Sequence, residues 1–311
     1  MNPKPERIKR PISGVLLLDK PLGISSNQAL QIAKRIFAAR KAGHTGTLDP
    51  MATGMLPICF GEATKFASAL LGADKTYETT LRLGYISTTG DADGELSVAS
   101  DIESHGLVFS RPQVEAALKS FIGRIMQVPP MYSALKHHGK PMYTYARKGV
   151  EIERQSREVI IHDISIEALQ GNELSIRVKC GTGTYIRTLA EDIGKALGCG
   201  GAYLTFLRRS ILDCFDLSQA YTLDALETMP MEERDHCLLP ADILMRNFPA
   251  ATLQPPAAMS LLQGRTIADY VSEDRLGEGQ RIRLYDQANR FLGLGEMMAG
   301  GEIAPRRLIA E

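Results

Sequence analysis

The residues best suited to chemistry lie in one stretch, residues 43–54, which reads GHTGTLDPMATG. Its histidine, carboxylate, three threonines and three glycines are typical of a loop rather than of a helix or central strand. Pro50 pushes Asp49 out of the helical backbone region, because the proline ring clashes with the residue before it. Asp49 therefore either hydrogen-bonds its own backbone as a turn residue, or presents a carboxylate to a ligand that the glycines allow to approach.

Other reactive groups lack the patterns that chemistry requires. The chain has no GxSxG, no P-loop and no GxGxxG after a strand. Its five cysteines form no CxxC pair and its six histidines lack ligand spacing, so we expect neither a metal nor another cofactor. The glycine-rich run at 198–201 follows a helical pattern and lacks the lysine of a phosphate loop. A carboxylate is the remaining candidate reagent.

Asp49 would then act as a nucleophile, as carboxylates do at glycosidic carbons. An ionised carboxylate in a closed pocket needs a cation, and Arg187 would keep the pKa of Asp49 low. Tyr77 would stack on a flat substrate, a contact worth about 1–3 kcal/mol for a nucleic-acid base. From single residues, two alternatives remain open: Tyr77 as a cross-strand surface residue, and Arg187 as a surface helix charge.

Charge is balanced over the chain but not along it. The 311 residues carry 36 basic and 36 acidic side chains. Residues 1–41 nevertheless hold nine basic and two acidic side chains, and residues 136–157 hold six and two. Such polarisation favours phosphate binding, although balanced solvated faces are an alternative. The charged N-terminus lacks a signal core and no apolar run reaches 18 residues, so we expect a cytoplasmic protein without a membrane span.

The first half of the chain predicts alternating strands and helices. Residues 14–18 are typical of a buried strand, and Ser25 or Ser26 caps a following helix. Residues 62–71 predict a second helix, and residues 77–85 predict a strand because they are rich in β-branched and aromatic side chains. Ser110 and Gln113 form a capping box for another helix.

The second half predicts an insertion, a strand–helix junction and a small β domain. Residues 124–157 are basic and tyrosine-rich with little apolar periodicity, so they indicate an insertion, partly helical near 143–148. Residues 174–180 alternate as a half-buried strand and lead into a helix with an apolar face at 186–197. A short strand at 203–207 and a helical stretch at 222–235 follow.

The end of the chain differs in composition from the rest. Prolines at 249–256 indicate a linker, and strand-like segments at 280–285, 291–295 and 306–309 indicate a small β domain.

Six segments resemble the TruB-type bacterial tRNA pseudouridine synthases, which isomerise a uridine in the T loop of tRNA at position 55. They occur in family order and comprise residues 14–21, 43–54, 73–78, 129–136, 183–187 and 207–209. The resemblance implies an α+β fold with a mixed, largely antiparallel sheet flanked by helices. It also implies a basic tail (1–11), a catalytic domain (12–247) with an RNA-clamping insertion (124–152), and a C-terminal PUA-like RNA-binding domain (248–311).

The resemblance also implies roles for individual residues. Asp49 matches the nucleophile, Tyr77 the tyrosine that stacks on the flipped uracil, and Arg187 the arginine that pairs with the aspartate. His44 matches the residue that fills the space left by the base. Tyr185 and Leu207 match uracil-pocket residues, and Lys20 belongs to a motif that packs beside the site.

The family's partner is the T stem-loop of tRNA, and we expect a monomer without an obligate protein partner or a membrane. One departure concerns the acidic turn, because many members read Thr-Asp-Thr where this chain reads Ser87-Thr88-Thr89. Two other functions remain open: an RNA-guided pseudouridine synthase acting on other RNAs, and a non-catalytic RNA-binding or tRNA-folding module.

Overall fold

The structure is a computed structural model that describes residues 9–99 and 109–309. Its large domain contains thirteen described strands: β1 (Gly14–Lys20), β2 (Ala42–His44), β3 (Ala52–Phe60), β4 (Lys75–Leu83), β5 (Tyr85–Ser87), β6 (Leu96–Val98), β7 (Gly123–Gln127), β8 (Lys136–His137), β9 (Lys140–Pro141), β10 (Arg157–Gln170), β11 (Glu173–Cys180), β12 (Ala202–Leu212) and β13 (Phe215–Asp216). The α-helices described here are α1 (Ser26–Ile36), α2 (Arg111–Lys119), α3 (Tyr143–Ala146), α4 (Ile186–Ala196), α5 (Leu223–Thr228) and α6 (Met231–His236).

A nine-stranded sheet forms the centre of the large domain. Its strand order is β1-β3-β12-β4-β11-β10-β7, with β2 added to β3 and β13 to β12. The β3–β12 pair is parallel and the other described pairs of this sheet are antiparallel. This confirms the predicted α+β fold with a mixed, largely antiparallel sheet. Two short hairpins, β5–β6 and β8–β9, lie outside the sheet.

Helices α1 and α4 cover one face of the sheet, as their sequences predict. Ser25 and Gln28 close a capping box at the start of α1, whose apolar positions include the buried Leu30 and Ala33. Helix α4 buries Leu189 and other residues spaced three or four apart, which puts one stripe against the sheet. The N-terminal end of α4 follows directly after the turn that leaves β11.

Two predicted helices are interrupted. Residues 62–71 form two short 3₁₀ helices, Gly61–Lys65 and Ala67–Leu70, instead of one α-helix. Phe66 separates them, because its buried side chain turns to pack against Phe291 with ring centroids 5.4 Å apart. The stretch 222–235 divides into α5 and α6 because Pro230 holds the residue before it in an extended conformation.

Two other boundaries differ from the sequence prediction. The strand predicted at 203–207 is eleven residues long and central, since β12 pairs with both β3 and β4. The insertion predicted from residue 124 begins only after Gln127, because Gly123–Gln127 is strand β7 paired with β10. Predicted helix in the insertion is restricted to Tyr143–Ala146.

The C-terminal residues form a small five-stranded domain. Its strands are β14 (Ala250–Leu253), β15 (Tyr270–Val271), β16 (Arg281–Asp286), β17 (Phe291–Met297) and β18 (Ile303–Leu308), with helix α7 (Pro255–Leu262) against them. The linker predicted at 249–256 is wrong, because its apolar residues build β14 and its prolines begin α7, where a missing N–H is tolerated. Phe291 and Leu294 pack against the face of the large sheet opposite α1, so the two domains share an apolar contact.

Most of the predicted basic tail, residues 1–8, lies outside the described residues. Arg10 is described; its guanidinium pairs with Asp235, and its backbone bridges to Ala39. In the part of the chain that is described, no helix has the length and apolar character needed to cross a membrane.

Candidate active site

A pocket of about 230 Å³ lies at the N-terminal end of α4. Its walls come from five segments that are far apart in the sequence: residues 47–49, Tyr77 of β4, residues 133–134 of the insertion, residues 184–187, and Leu207 of β12. The pocket therefore gathers five of the seven residues predicted for the site: Asp49, Tyr77, Tyr185, Arg187 and Leu207. The sheet and α4 position four of these segments, and the insertion closes the fifth side.

The loop that carries Asp49 is fixed on both sides of that residue. The Ser26 hydroxyl, at the start of α1, accepts from the Leu48 N–H at 2.7 Å and donates to the Leu48 carbonyl at 3.0 Å. On the other side, the Pro50 carbonyl accepts from the Gly23 N–H at 2.9 Å. These bonds hold the backbone while the Asp49 side chain points into the pocket, with about a third of its surface reached by solvent (34 %).

Arg187 is the cation of the pocket and is almost fully buried (4 % exposed). Its Nε lies 3.0 Å from Asp49 Oδ2. Its Nη1 and Nη2 donate to the Thr89 carbonyl at 2.8 Å and the Tyr132 carbonyl at 2.7 Å. The alternative of a surface helix charge is therefore wrong, because the guanidinium joins three separate segments around one carboxylate.

The electrostatics of Asp49 differ from the sequence expectation. Burial raises the pKa of Asp49, while Arg187 and Lys20 act in the opposite direction and Asp91 adds to the rise. The ion pair with Arg187 lowers the pKa of Asp49, as predicted, but desolvation outweighs it, so the pKa is raised overall instead of being kept low. Arg187 limits the rise and favours the ionised form that a nucleophile requires.

Asp91 is a site residue that sequence reasoning missed. It is buried, and its Oδ2 lies 3.8 Å from Arg187 Nε, so two carboxylates share one guanidinium. Thr89 and the Asp93 N–H hold its other oxygen. Position 88 carries no carboxylate in this chain. Asp91, three residues later, nevertheless gives Arg187 a second acidic neighbour. The acidic loop was visible in the sequence, but no pattern distinguished Asp91 from its acidic neighbours.

Tyr77 is buried (8 % exposed) and lies opposite Arg209 in the β4–β12 ladder. Its side chain is therefore not the surface residue that the alternative reading required. Burial raises the pKa of the Tyr77 hydroxyl, with Arg209 opposing, so the hydroxyl keeps its proton at neutral pH. Arg209 is itself buried, and its Nε donates to the Met55 carbonyl at 2.7 Å. The Leu207–Arg209 segment was part of the resemblance, but only the structure places Arg209 under the site.

The other two predicted residues do not line the pocket. His44 is half-buried in β2 and does not line the pocket, and burial lowers its pKa with a contribution from Arg209, so it is neutral at pH 7. Lys20 is fully buried below the Asp49 loop, where Nζ donates to the Pro21, Ile24 and Pro50 carbonyls at 2.8, 2.7 and 3.4 Å. Burial lowers the pKa of Lys20 to about 8.

Within residues 9–99 and 109–309, no group of three or more His, Cys, Asp or Glu side chains is arranged to hold a metal ion. The pocket instead offers one carboxylate oxygen beside a fixed cation, an aromatic ring and an aliphatic wall. This arrangement suits a planar, mostly uncharged ligand with an electrophilic atom within reach of Asp49.

Solved structures of other proteins share this fold. The structure is similar to that of an archaeal box H/ACA sRNP Nop10–Cbf5 complex, with a TM-score of 0.72, 24 % identity, and coverage of 95 % of this chain and 85 % of that one. A Cbf5–Nop10–Gar1 complex gives a TM-score of 0.70 at 25 % identity, over 92 % of this chain and 78 % of that one.

The sequence comparisons give the family. Residues 34–186 match the TruB family pseudouridylate synthase N-terminal domain, residues 187–246 the tRNA pseudouridylate synthase B C-terminal domain, and residues 249–309 the pseudouridine synthase II TruB C-terminal domain. A tRNA pseudouridine synthase B of Nitrosospira multiformis is 68 % identical over 97 % of this chain and 96 % of its own length. One of Nitrosomonas europaea is 54 % identical over 94 % and 95 %. The chain belongs to the TruB family of pseudouridine synthases.

Proposed function

We propose that this enzyme converts the uridine at position 55 in the T loop of tRNA to pseudouridine, with Asp49 as nucleophile. The observation that carries the proposal is the Asp49–Arg187 pair in the small pocket, where the guanidinium Nε lies 3.0 Å from Asp49 Oδ2. The tRNA substrate is the one named for the relatives.

The reaction is an isomerisation, so atoms and electrons balance within the substrate. The bond from ribose C1′ to uracil N1 breaks, the base turns over, and C1′ joins C5. The proton leaves C5, and N1 gains one. Asp49 supplies the electron pair for a transient bond to the substrate, and this bond breaks again by the time C1′ is joined to C5, which returns the pair to the carboxylate. Arg187 keeps that carboxylate ionised against the effect of burial.

The pocket is too enclosed for a base that remains stacked in RNA, so the nucleotide must flip out, at an expense of a few kcal/mol. The Tyr77 ring would stack on the flipped uracil, with Tyr185 and Leu207 forming the other walls. His44, partly exposed and neutral at pH 7, fits the role of filling the vacated space in the T loop. Lys20 would act indirectly by supporting the Asp49 loop.

The insertion fits the role of an RNA clamp. Lys136, Lys140, Arg147 and Lys148 are exposed on it, and its residues 133–134 line the pocket. Substituting alanine for Lys148 should reduce the dependence of log Kd on log salt by about one unit of slope, as expected for one lost phosphate contact. Lys119→Ala, an exposed lysine at the end of α2, is the matched control. Equal salt slopes for the two variants would contradict the clamp.

The decisive experiment is pseudouridine formation on an unmodified tRNA transcript by the purified chain, mapped to the nucleotide, with Asp49→Asn in parallel. We expect conversion of the single T-loop uridine by the wild type alone. Conversion at another nucleotide would overturn the substrate, and an active Asp49→Asn variant would overturn the mechanism.

The likeness to Cbf5 complexes makes an RNA-guided enzyme the competing function. Such an enzyme would need guide and protein partners, whereas we propose that this chain acts as a monomer on bare tRNA in the cytoplasm. Activity without added partners distinguishes the two functions. A tRNA-refolding activity that survives Asp49→Asn would indicate an additional folding role.

A further inference from the structure

The N-terminal end of α4 is held by a side chain that neither the motifs nor the pocket includes. Gln127 is the last residue of β7 and is buried (1 % exposed). Its Oε1 accepts from the Tyr185 N–H at 2.7 Å, and its Nε2 donates to the Tyr185 carbonyl at 3.1 Å. The carboxamide thus makes a two-bond bridge to the residue at the N-cap position of α4.

This bridge satisfies the Tyr185 N–H, one of the backbone donors at the helix terminus that have no partner within the helix. Tyr185 provides no side-chain cap for α4, and the first turn of α4 contains no acidic residue. The Tyr185 carbonyl also accepts from the Leu189 N–H at 3.0 Å, so it receives one bond from the helix and one from Gln127. Both the N–H and the carbonyl of Tyr185 are therefore held by hydrogen bonds.

Arg157 of β10, the ladder partner of Gln127, contacts the Tyr185 ring. Gln127 pairs with Arg157 in the β7–β10 ladder, and the Arg157 guanidinium lies 5.1 Å from the centre of the Tyr185 ring. Arg157 also donates to the Gly183 carbonyl. Two paired residues therefore contact Tyr185: Gln127 hydrogen-bonds its backbone, and Arg157 lies over its ring.

Arg187 lies two residues further on and is joined to the segment that follows Gln127. Its Nη2 donates to the Tyr132 carbonyl at 2.7 Å. The start of α4 and the start of the insertion are thus connected at residue 127 and again at residue 132. A rotation of the first turn of α4 would move Arg187 away from Asp49 or from Tyr132.

We infer that Gln127 is a positioning residue that fixes Tyr185 and Arg187 against the pocket for the isomerisation. The inference rests on the proposed roles of Asp49 and Arg187. Gln127 touches no reacting atom; it acts by holding the first turn of α4, where a misplacement of about 1 Å can lower a rate by about 100-fold.

The test compares Gln127→Ala, Gln127→Glu and the control Gln170→Glu, an exposed glutamine at the far end of β10. Single-turnover pseudouridine formation is measured from pH 5.5 to 8.5 on the full chain, with tRNA binding and thermal unfolding measured in parallel. We expect Gln127→Ala to lower the rate about 10- to 100-fold while tRNA Kd changes less than about twofold. The control should match the wild type throughout.

Gln127→Glu keeps the shape and makes the test specific. Its carboxylate repels the Tyr185 carbonyl, whereas its protonated form donates an O–H to that carbonyl. Because burial raises a carboxyl pKa, the ratio of the variant rate to the wild-type rate should increase as pH falls. The corresponding ratio for Gln127→Ala should stay flat.

A wild-type rate for Gln127→Ala, or a Gln127→Glu ratio that does not change with pH, would overturn the positioning role. If Gln127→Ala does not fold, the pH dependence of Gln127→Glu decides alone. Asp49→Asn, measured in the same assay, separates the two proposals: if it is inactive, the proposed function stands even when the Gln127 proposal fails.

Discussion

Two Asp–Arg pairs that lie beside the central sheet are built differently. Asp19 of β1 and Arg208 of β12 form a two-bond pair, with Arg208 Nη1 and Nη2 3.0 and 2.6 Å from the two carboxylate oxygens. Thr53 adds a bond to the guanidinium at 3.2 Å. In the Asp49–Arg187 pair, Arg187 Nε lies 3.0 Å from Asp49 Oδ2, and both Nη atoms bond main-chain carbonyls.

The difference separates a cross-link from a reactive group. The fork of Arg208 occupies both oxygens of Asp19, a geometry that suits a contact between strands. Arg187 Nη1 and Nη2 donate to the Thr89 and Tyr132 carbonyls. These bonds hold the guanidinium in place, and neither is directed at Asp49.

Removing the carboxylate charge should separate the pairs most strongly. Asp49→Asn should lower the single-turnover rate by at least about 10⁴-fold, the scale at which enzymes lose a nucleophile, with tRNA binding retained. Asp19→Asn should change that rate less than about threefold, because Asp19 lies outside the pocket. Equal losses of rate in the two variants would remove the distinction between them.

Replacing each arginine by lysine tests the role of the fixed fork. Arg187→Lys keeps the charge but loses bonds to the Thr89 or Tyr132 backbone, so we expect a rate lower by about 10²- to 10³-fold. Arg208→Lys should lower it by less than about fivefold. The measurement is the single-turnover rate of each variant at saturating enzyme. A loss of rate in Arg187→Lys no larger than that in Arg208→Lys would show that the positive charge alone suffices.

The second carboxylate of the Arg187 cluster should appear in the pH profile. Asp91 raises the pKa of Asp49, so Asp91→Asn should lower that pKa. Since activity requires ionised Asp49, the acid limb of the rate profile should move to lower pH than in the wild type. Asp93→Asn, which changes an exposed carboxylate in the same loop, is the control. An unshifted limb in Asp91→Asn would contradict the electrostatic coupling.

The smallest effect concerns the stability contributed by the cross-link. Asp19 and Arg208 are both partly exposed, at 21 % and 28 %, so solvent screens their attraction. Asp19→Asn should therefore lower the free energy of unfolding by only about 1 kcal/mol, measured by urea denaturation. A loss above about 3 kcal/mol would show that the pair behaves as a buried one.

The sequence determined much of this protein, because local rules and family motifs are written in neighbouring residues. A serine N-cap predicted α1, a capping box predicted α2, and the apolar spacing predicted α4, while the motif containing Asp49 predicted both the fold and the site. The prolines at 249–256 predicted a linker, but the apolar residues between them are buried and form strand β14.

Only the tertiary structure decided how the charges interact. Asp91, Arg209 and Gln127 carry no local signal, since their importance comes from burial beside residues about 50 to 150 positions away. The sign of the Asp49 pKa shift likewise depends on desolvation by the assembled pocket, which no spacing in the sequence reports. A motif names the reactive group, but the fold sets the distances and the solvent access that make it reactive.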